Sequence, residues 1–329
     1  MKYLIKLVKI ARPYWKYLII AGVSNLTITG INLLGPWLAR QLINIITNLN
    51  QYPDAKSYII RLSIILIASY IARIIFQFLA SYLSHYAAWH LVAHMRGLVY
   101  DKLQQLSFRF FQDKQTGQLM SRVVNDTANF EALIAHAVPD LFTNALIILG
   151  VIIILFIVNP TLAFLSLLPI PFLVYTGTRF AKRVLPNFRE AQRALADLNA
   201  DLQDNISGIR EIQLFNQQKR ELTKIQNKVY RHIQALLNAL RLSAIFHPTV
   251  SFLSSIGTVI VSSVGGIMAV NGKVSAGDIV GFMLYLNMFY FPITALSQVI
   301  ENIQQALAGA ERVFEILETE SEIKERPDA

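Results

Sequence analysis

The sequence predicts an all-α membrane protein of six long transmembrane helices, with two helical hairpins projecting from one side, and three observations carry that prediction. Charged residues make up only 16% of the 329 positions and hydrophobic ones 54%, whereas soluble domains carry about a quarter charged residues. Uncharged windows recur that are long enough to cross a hydrocarbon layer of about 30 Å, which takes about 20 helical residues. Lys and Arg concentrate in alternate segments between those windows, the pattern that sets membrane orientation.

Residues 1–12 read as an N-terminal interfacial helix on the cytoplasmic side. The five basic residues of Met1–Lys16 could head a secretory signal, but the apolar stretch that follows is too long and lacks a small-residue cleavage pattern. Tyr14, Trp15 and Tyr17 instead form an interfacial aromatic belt. A six-span domain over 13–319 follows. Tyr17–Ala39 is uncharged and marks span one, expected over 17–46. From Leu62 to Met95 the run is broken only by Arg73 and three histidines, giving span two over 58–95. Leu141–Thr178 contains no Asp, Glu, Lys or Arg and is too long for one crossing. Asn159-Pro160 divides it into spans three and four, 132–158 and 161–180. Leu242–Gly272 and Ile279–Ile300, separated by a Gly-containing polar turn, give spans five and six over 242–270 and 278–300.

Segments 1–16, 96–131, 179–241 and 301–329 hold five, five, twelve and three Lys or Arg, 25 of the 30 in the chain. That side, with both termini, is expected to be cytoplasmic. The net charge of +9 follows from this orientation, and with no recognition motif accompanying it nucleic acid is not an expected partner. The absence of cysteine excludes disulfides, thiolate metal sites and a catalytic thiol.

Segments 96–131 and 179–241 exceed the usual 2 to 8 residues of helix connections, so they must carry structure. Leu195, Leu198, Leu202, Ile206 and Ile209 recur at helical spacing between charged residues, which extends span four into a rod from Thr161 to about Glu211, on the order of 75 Å long. Amphipathicity alone fits a solvated stabilising hairpin equally well. Any functional assignment rests on the hairpin tips.

The first tip reads Phe110-Phe111-Gln112-Asp113-Lys114-Gln115-Thr116-Gly117-Gln118-Leu119-Met120-Ser121-Arg122-Val123-Val124-Asn125-Asp126. It resembles the first intracellular loop of ABC exporters, with its FF-D-x-x-x-TG-x-L-x-SR-x-x-ND pattern. Physically, Gly117 permits a sharp reorientation, Phe110 and Phe111 offer an apolar anchor, and Asp113 and Arg122 bracket a short helix across the hairpin end. The second tip, Ile212–Ile225, resembles the family's second coupling loop, with Phe215 at its aromatic and Glu221 at an acidic position. Gln218 stands where relatives often have a second acid. Ala310–Leu317 resembles the family's exit from helix six, and 320–329 a linker toward a nucleotide-binding domain absent from the chain.

The resemblance covers essentially the whole chain and implies the transmembrane domain of a type IV ABC exporter half-transporter. A second copy or a homologous half-transporter would complete twelve helices around a cavity for a hydrophobic or amphipathic substrate, in the plasma (inner) membrane. Coupling helices at the tips, through Phe111, Asp113, Thr116, Gly117, Leu119, Arg122, Asp126, Phe215, Gln218 and Glu221, would dock on nucleotide-binding domains in cis and in trans. ATP and Mg²⁺ would then belong to those domains, and this chain would hold no cofactor, metal or catalytic residue of its own. The alternative is an ion-coupled peptide carrier on the same fold without an ATPase; a non-transporting scaffold finds no positive support.

Gly265–Val274 is the nearest approach to a phosphate loop and departs from it in spacing, in Val274 at the Ser/Thr position and in following a membrane helix. His85, His90 and His94 come with no clustered carboxylate in sequence and read as interfacial packing or polar helix contacts. Arg73 and Asp140, roughly 20 and 28 Å from the outer ends of their helices, are candidates with Glu301 to line the cavity or to pair between helices. Pro248 and Pro292, each mid-span, are candidate helix kinks.

Overall fold

Long uncharged runs without turn residues leave the backbone no partners but its own, and helix is the result almost throughout. The computed structural model describes residues 2–112 and 114–320, with only the backbone at some helical positions, Glu301 among them. Helix α1 spans Lys2–Ile10 and buries Leu7. A turn at Arg12-Pro13-Tyr14 leads into α2, Trp15–Thr47, and α3 runs over Ala55–Gln104. After the five-residue α4, Phe108–Gln112, α5 continues from Thr116 to Val158. Then come α6, Pro160–Ser166, α7, Ile170–Ser207, and α8, Ile209–Leu214. Helix α9 spans Gln218–Val270 and α10 Ala276–Glu318. No strand occurs among the described residues.

Helix α3 shows why this is an integral membrane protein. Its first half exposes Ile64, Ile67, Ile71, Ile74, Ile75 and Phe78, while its second half buries Ala88, Leu91, Val92, Met95 and Val99. Exposed apolar surface on that scale is tolerated in lipid and not in water. Among the described residues five helices are long and apolar enough to cross a membrane. Helix α10, 43 residues with Pro292 inside it, follows them.

The rod expected from Thr161 to Glu211 forms one helical span over Pro160–Ser207, with its regular bonding interrupted at one turn inside it and again at Gly208. The chain turns at Leu167-Leu168-Pro169 between α6 and α7, where Pro169 and Pro171 remove two backbone donors and disfavour helical geometry in the residues before them. Helix α7 then runs unbroken for 38 residues through Pro186, about 57 Å, and stops at Gly208, whose N–H donates to Asp204 O at 2.8 Å. Helix α9 contains Pro248 and remains one helix of 53 residues.

Two helix ends use the left-handed conformation. Gly272 has φ +69° and Asn216 φ +52°, one favoured for want of a Cβ and the other a residue type that tolerates it. After α9, Lys273 N–H donates to Met268 O and Gly272 N–H to Ala269 O. After α8, Gln217 N–H donates to Ile212 O and Asn216 N–H to Gln213 O. Both are Schellman closures that satisfy otherwise orphaned carbonyls. Helix α10 opens on a capping box in which Ser275 and Asp278 bond each other's backbone N–H. The same turn is tied to α2, since Asp278 accepts from Arg40 and Gly277 N–H donates to Asn44 Oδ1 at 3.1 Å.

The chain divides into two compact units, residues 1–160 with 266–329, and residues 161–265. The core of the first collects Leu7, Leu91, Met95, Leu119, Phe130, Ala310, Val313, Phe314 and Ile316, so α1, the end of α3, the start of α5 and the end of α10 share one apolar interior. In the second, α7 and α9 pair through acids on one and bases on the other. Arg231 meets Glu190 at 3.3 Å and Asp197 at 3.5 Å, and Asp201 lies 3.3 Å from Lys228 and 3.6 Å from Lys224. Half-exposed pairs of this kind contribute little each, but their order along both helices fixes the register. Ala191 and Ala194, both buried, let the helices approach, and His232 Nδ1 lies 3.1 Å from Ala191 O.

Candidate functional site: the hairpin tips and the exit helix

The first tip is built by the break after Gln104. Phe110 packs against the core of the first unit, and Phe111 stands edge-on to it at 5.3 Å and is exposed. One ring therefore anchors and the other is presented. Lys114 Nζ sits 4.3 Å from the Phe110 ring centroid, a cation–π contact that holds the turn. The reorientation falls at Gln115, which is extended with φ −72° and ψ 134°. Gly117 is not the turn residue expected from sequence. It lies in the first helical turn of α5, where the start of a helix leaves backbone N–H groups free. The short α-helical stretch Thr116–Ser121 falls between position 113 and Arg122, as the sequence leads one to expect, and runs on into the rest of α5; α4 precedes position 113. Asp113 itself falls outside the described residues. Thr116 is exposed and Leu119 buried.

At Arg122–Asp126 and Ala132–Ala137 α5 widens into π-helix. The first wide turn aims two charges at α10. Arg122 Nη1 donates to Glu315 Oε2 at 2.7 Å, and Asp126 accepts from Arg312 twice, from Nε at 2.7 Å and from Nη2. Sequence reading singled out Arg122 and Asp126 but not their partners. The signal was available in the motif Ala310–Leu317, where Arg312 and Glu315 carry the complementary charges in reverse order. Asp126 is only 6% exposed, and the Arg312 fork satisfies both of its carboxylate oxygens. Its hydrogen bond, with its negative charge, holds the Arg312 guanidinium proton above the ordinary range. Arg96 of α3 completes the arrangement, donating to Val124 O at 3.1 Å and to Thr127 Oγ1 at 3.2 Å. Lys6 of α1 bonds Glu318, and Tyr3 stacks on Phe314 at 5.7 Å. Helix α10 is thus gripped on two sides near its end.

The grip requires close approach. A Cβ added at Gly309 would stand 2.9 Å from Asp126 O, a backbone atom that cannot swing aside, whereas one added at Gly97 would meet nothing within 4 Å. Gly309→Ala is therefore expected to lower stability by about 1 to 3 kcal/mol. Gly97→Ala, in the interior of α3, should raise it by about 0.5 to 1 kcal/mol. Thermal unfolding of the two variants in detergent checks the opposite signs.

The second tip is the α8–α9 corner. Asn216 turns the chain, leaving Leu214 74% and Phe215 73% exposed, and Phe215 lines a shallow depression with Glu211, Ile212, Gln217 and Glu221. Gln218 opens α9. Two large apolar side chains held at a corner, beside carboxylates, form a surface suited to docking.

The remaining candidates are not gathered into one site. Arg73 is half-buried on α3 and Asp140 exposed on α5; no ion pair or hydrogen bond joins them among the described residues, and the side chain of Glu301 lies outside those residues. Pro248 and Pro292 sit within helices that continue through them. Gly265–Val274 forms the last turns of α9 and the turn after it. A phosphate cradle needs N–H groups opening a helix, so this segment does not fit a nucleotide.

A sequence model of the ABC transporter transmembrane region matches residues 18–293. An uncharacterised ABC transporter ATP-binding protein of Bacillus subtilis is 30% identical over 240 residues, 73% of this chain and 40% of that protein. The ATP-dependent lipid A-core flippase of Syntrophus aciditrophicus is 26% identical over 324 residues, 98% of this chain and 53% of that one. A multidrug export ATP-binding/permease protein of Staphylococcus aureus, so named provisionally, is 27% identical over 317 residues, 95% of this chain and 55% of its own length. The chain spans about half the length of these relatives or less. Match and helical architecture agree, and the chain belongs to the family of ABC transporter transmembrane regions.

Proposed function

We propose that this chain is the membrane-spanning half of an ATP-driven exporter, with both termini cytoplasmic in the plasma (inner) membrane. The translocation path would form between it and a second copy or a homologous chain. The two hairpin tips would meet nucleotide-binding domains in cis and in trans, and ATP and Mg²⁺ would be held by those domains. The observation that carries the reading is the double ion pair of Arg122 and Asp126 with Glu315 and Arg312. It would make the root of the first tip and the end of α10 move together, so that displacement at the tip reaches a helix of 43 residues. Relatives named for lipid A-core and fatty acid transport support a hydrophobic or amphipathic substrate.

The test is reconstitution of the chain together with its ATPase domains in proteoliposomes loaded with a fluorescent lipid analogue. ATP-dependent movement that stops with a non-hydrolysable analogue is expected. Movement driven by an ion gradient and indifferent to ATP would overturn the proposal in favour of a carrier.

A further inference from the structure

Glu131 and His136 are five residues apart on α5. In a regular α-helix, at 3.6 residues per turn, that spacing puts two side chains about 140° apart, on different faces. The second wide turn, Ala132–Ala137, changes this. A π-helix bonds each residue to the one five further on, so Glu131 and His136 come to lie one above the other. Both then face His85 on α3. His85 Nδ1 is 2.8 Å from Glu131 Oε1, and His136 Nε2 is 3.9 Å from the same oxygen. The two imidazoles meet edge to face with centroids 5.0 Å apart, and three donor atoms, one from each residue, lie within 4.8 Å of one another.

We infer that His85, Glu131 and His136 form a binding site for a divalent transition metal of the zinc class. Two imidazole nitrogens and a carboxylate, with no thiolate, suit Zn²⁺ and Co²⁺ and leave a fourth position open for water. Zinc–nitrogen and zinc–oxygen bonds of about 2.0 to 2.2 Å place neighbouring donors about 3.3 Å apart. The present 2.8 and 3.9 Å to the carboxylate oxygen bracket that spacing, and the donor atoms, all within 4.8 Å of one another, reach it when the half-exposed imidazoles rotate toward the ion. A simple hydrogen bond between His85 and Glu131 would need neither the wide turn nor a second imidazole. The wide turn removes regular helical bonding from α5, and such turns recur at functional sites.

Access and charge are both in place. The His85 and His136 side chains are 39% and 51% exposed, and Glu131 is 18% exposed. Among the described residues the ion pairs of Glu131 are with these two histidines, so no lysine or arginine competes for its carboxylate there. With the ion bound, His85 carries its proton on Nε2 and gives the Nδ1 lone pair to the metal. The ion pins α3 to the wide turn of α5. His90 is not part of the set, because its Nδ1 lies 2.8 Å from Tyr86 O on its own helix.

The test uses the purified chain in detergent, stripped with a chelator and titrated with Co²⁺ and then Zn²⁺. One equivalent of Co²⁺ per chain is expected, with the visible absorption of a four-coordinate site, displaced by Zn²⁺. Zn²⁺ should also raise the thermal unfolding midpoint. His85→Ala and His136→Ala should each weaken binding by at least about tenfold, and His90→Ala should leave it unchanged. Should either alanine variant fail to fold, His136→Gln serves, and Zn²⁺ should no longer shift its midpoint. Cobalt binding undiminished in the His85 and His136 variants, or no stoichiometric cobalt spectrum from the unsubstituted chain, would overturn the inference.

Discussion

Replacing Arg312 with methionine is expected to destabilise the first unit by about 3 kcal/mol, because it strands a buried carboxylate without its partner. The Asp126 side chain is 8% exposed, and its two oxygens both accept from the Arg312 fork. Methionine keeps the length and apolar stem of arginine, so the loss is electrostatic and not a cavity. The expected partner result is sharper. Adding Asp126→Asn to Arg312→Met should recover a large part of the loss, since a neutral amide costs far less to bury than an unpaired charge. Chemical or thermal unfolding of the four proteins of that cycle, in detergent, measures the coupling between the two positions. Additive losses would mean that the fork is not what holds Asp126.

The second large effect falls on coupling and leaves stability alone. Leu214 and Phe215 are about three-quarters exposed and contribute little to the packing of the α8–α9 corner. Leu214→Ser with Phe215→Ala should therefore change the unfolding free energy by no more than about 0.5 kcal/mol. If this corner docks a nucleotide-binding domain, the same pair of apolar groups is an interface hot spot whose loss weakens docking by about tenfold or more. Substrate-stimulated ATP hydrolysis by the assembled transporter should fall accordingly, with basal hydrolysis less affected. Unchanged stimulation would remove Phe215 from the coupling surface.

The apolar windows and the long helices around them are legible in the sequence because lipid imposes a simple rule: about 20 uncharged residues, with backbone bonds satisfied inside one helix. Tip motifs are legible because Phe111, Arg122, Asp126 and Phe215 stand in local runs that resemble the loop patterns of ABC exporters. Partners are harder. Asp126 and Arg312 lie 186 residues apart, and only the complementary charges of the two motifs hint at the pairing. The break at Pro169 was readable, since two prolines two residues apart interrupt any helix, but the amphipathic period that resumes after them conceals it. Gly117 misleads for the opposite reason, as a glycine in a first helical turn looks from sequence like a turn. The wide turns at Arg122–Asp126 and Ala132–Ala137 leave no periodic mark, because a single irregular turn shifts the helical phase without changing composition. For that reason Glu131 and His136 pass unnoticed beside His85 when helices are read at 3.6 residues per turn.

A chain without cysteine admits two spin labels at chosen positions and no others. Met120, exposed on α5, and Glu311, exposed on α10, stand on the two helices that the Arg122–Glu315 and Asp126–Arg312 pairs join. Their separation is best measured by pulsed electron resonance in the assembled transporter, with and without bound nucleotide. If the root of the first tip and the end of α10 are one rigid piece, the distance will hold within about 2 Å between the states, even as labels elsewhere move. A change of more than about 5 Å, one helical turn, would mean that the two helices slip past each other and that the ion pairs transmit nothing.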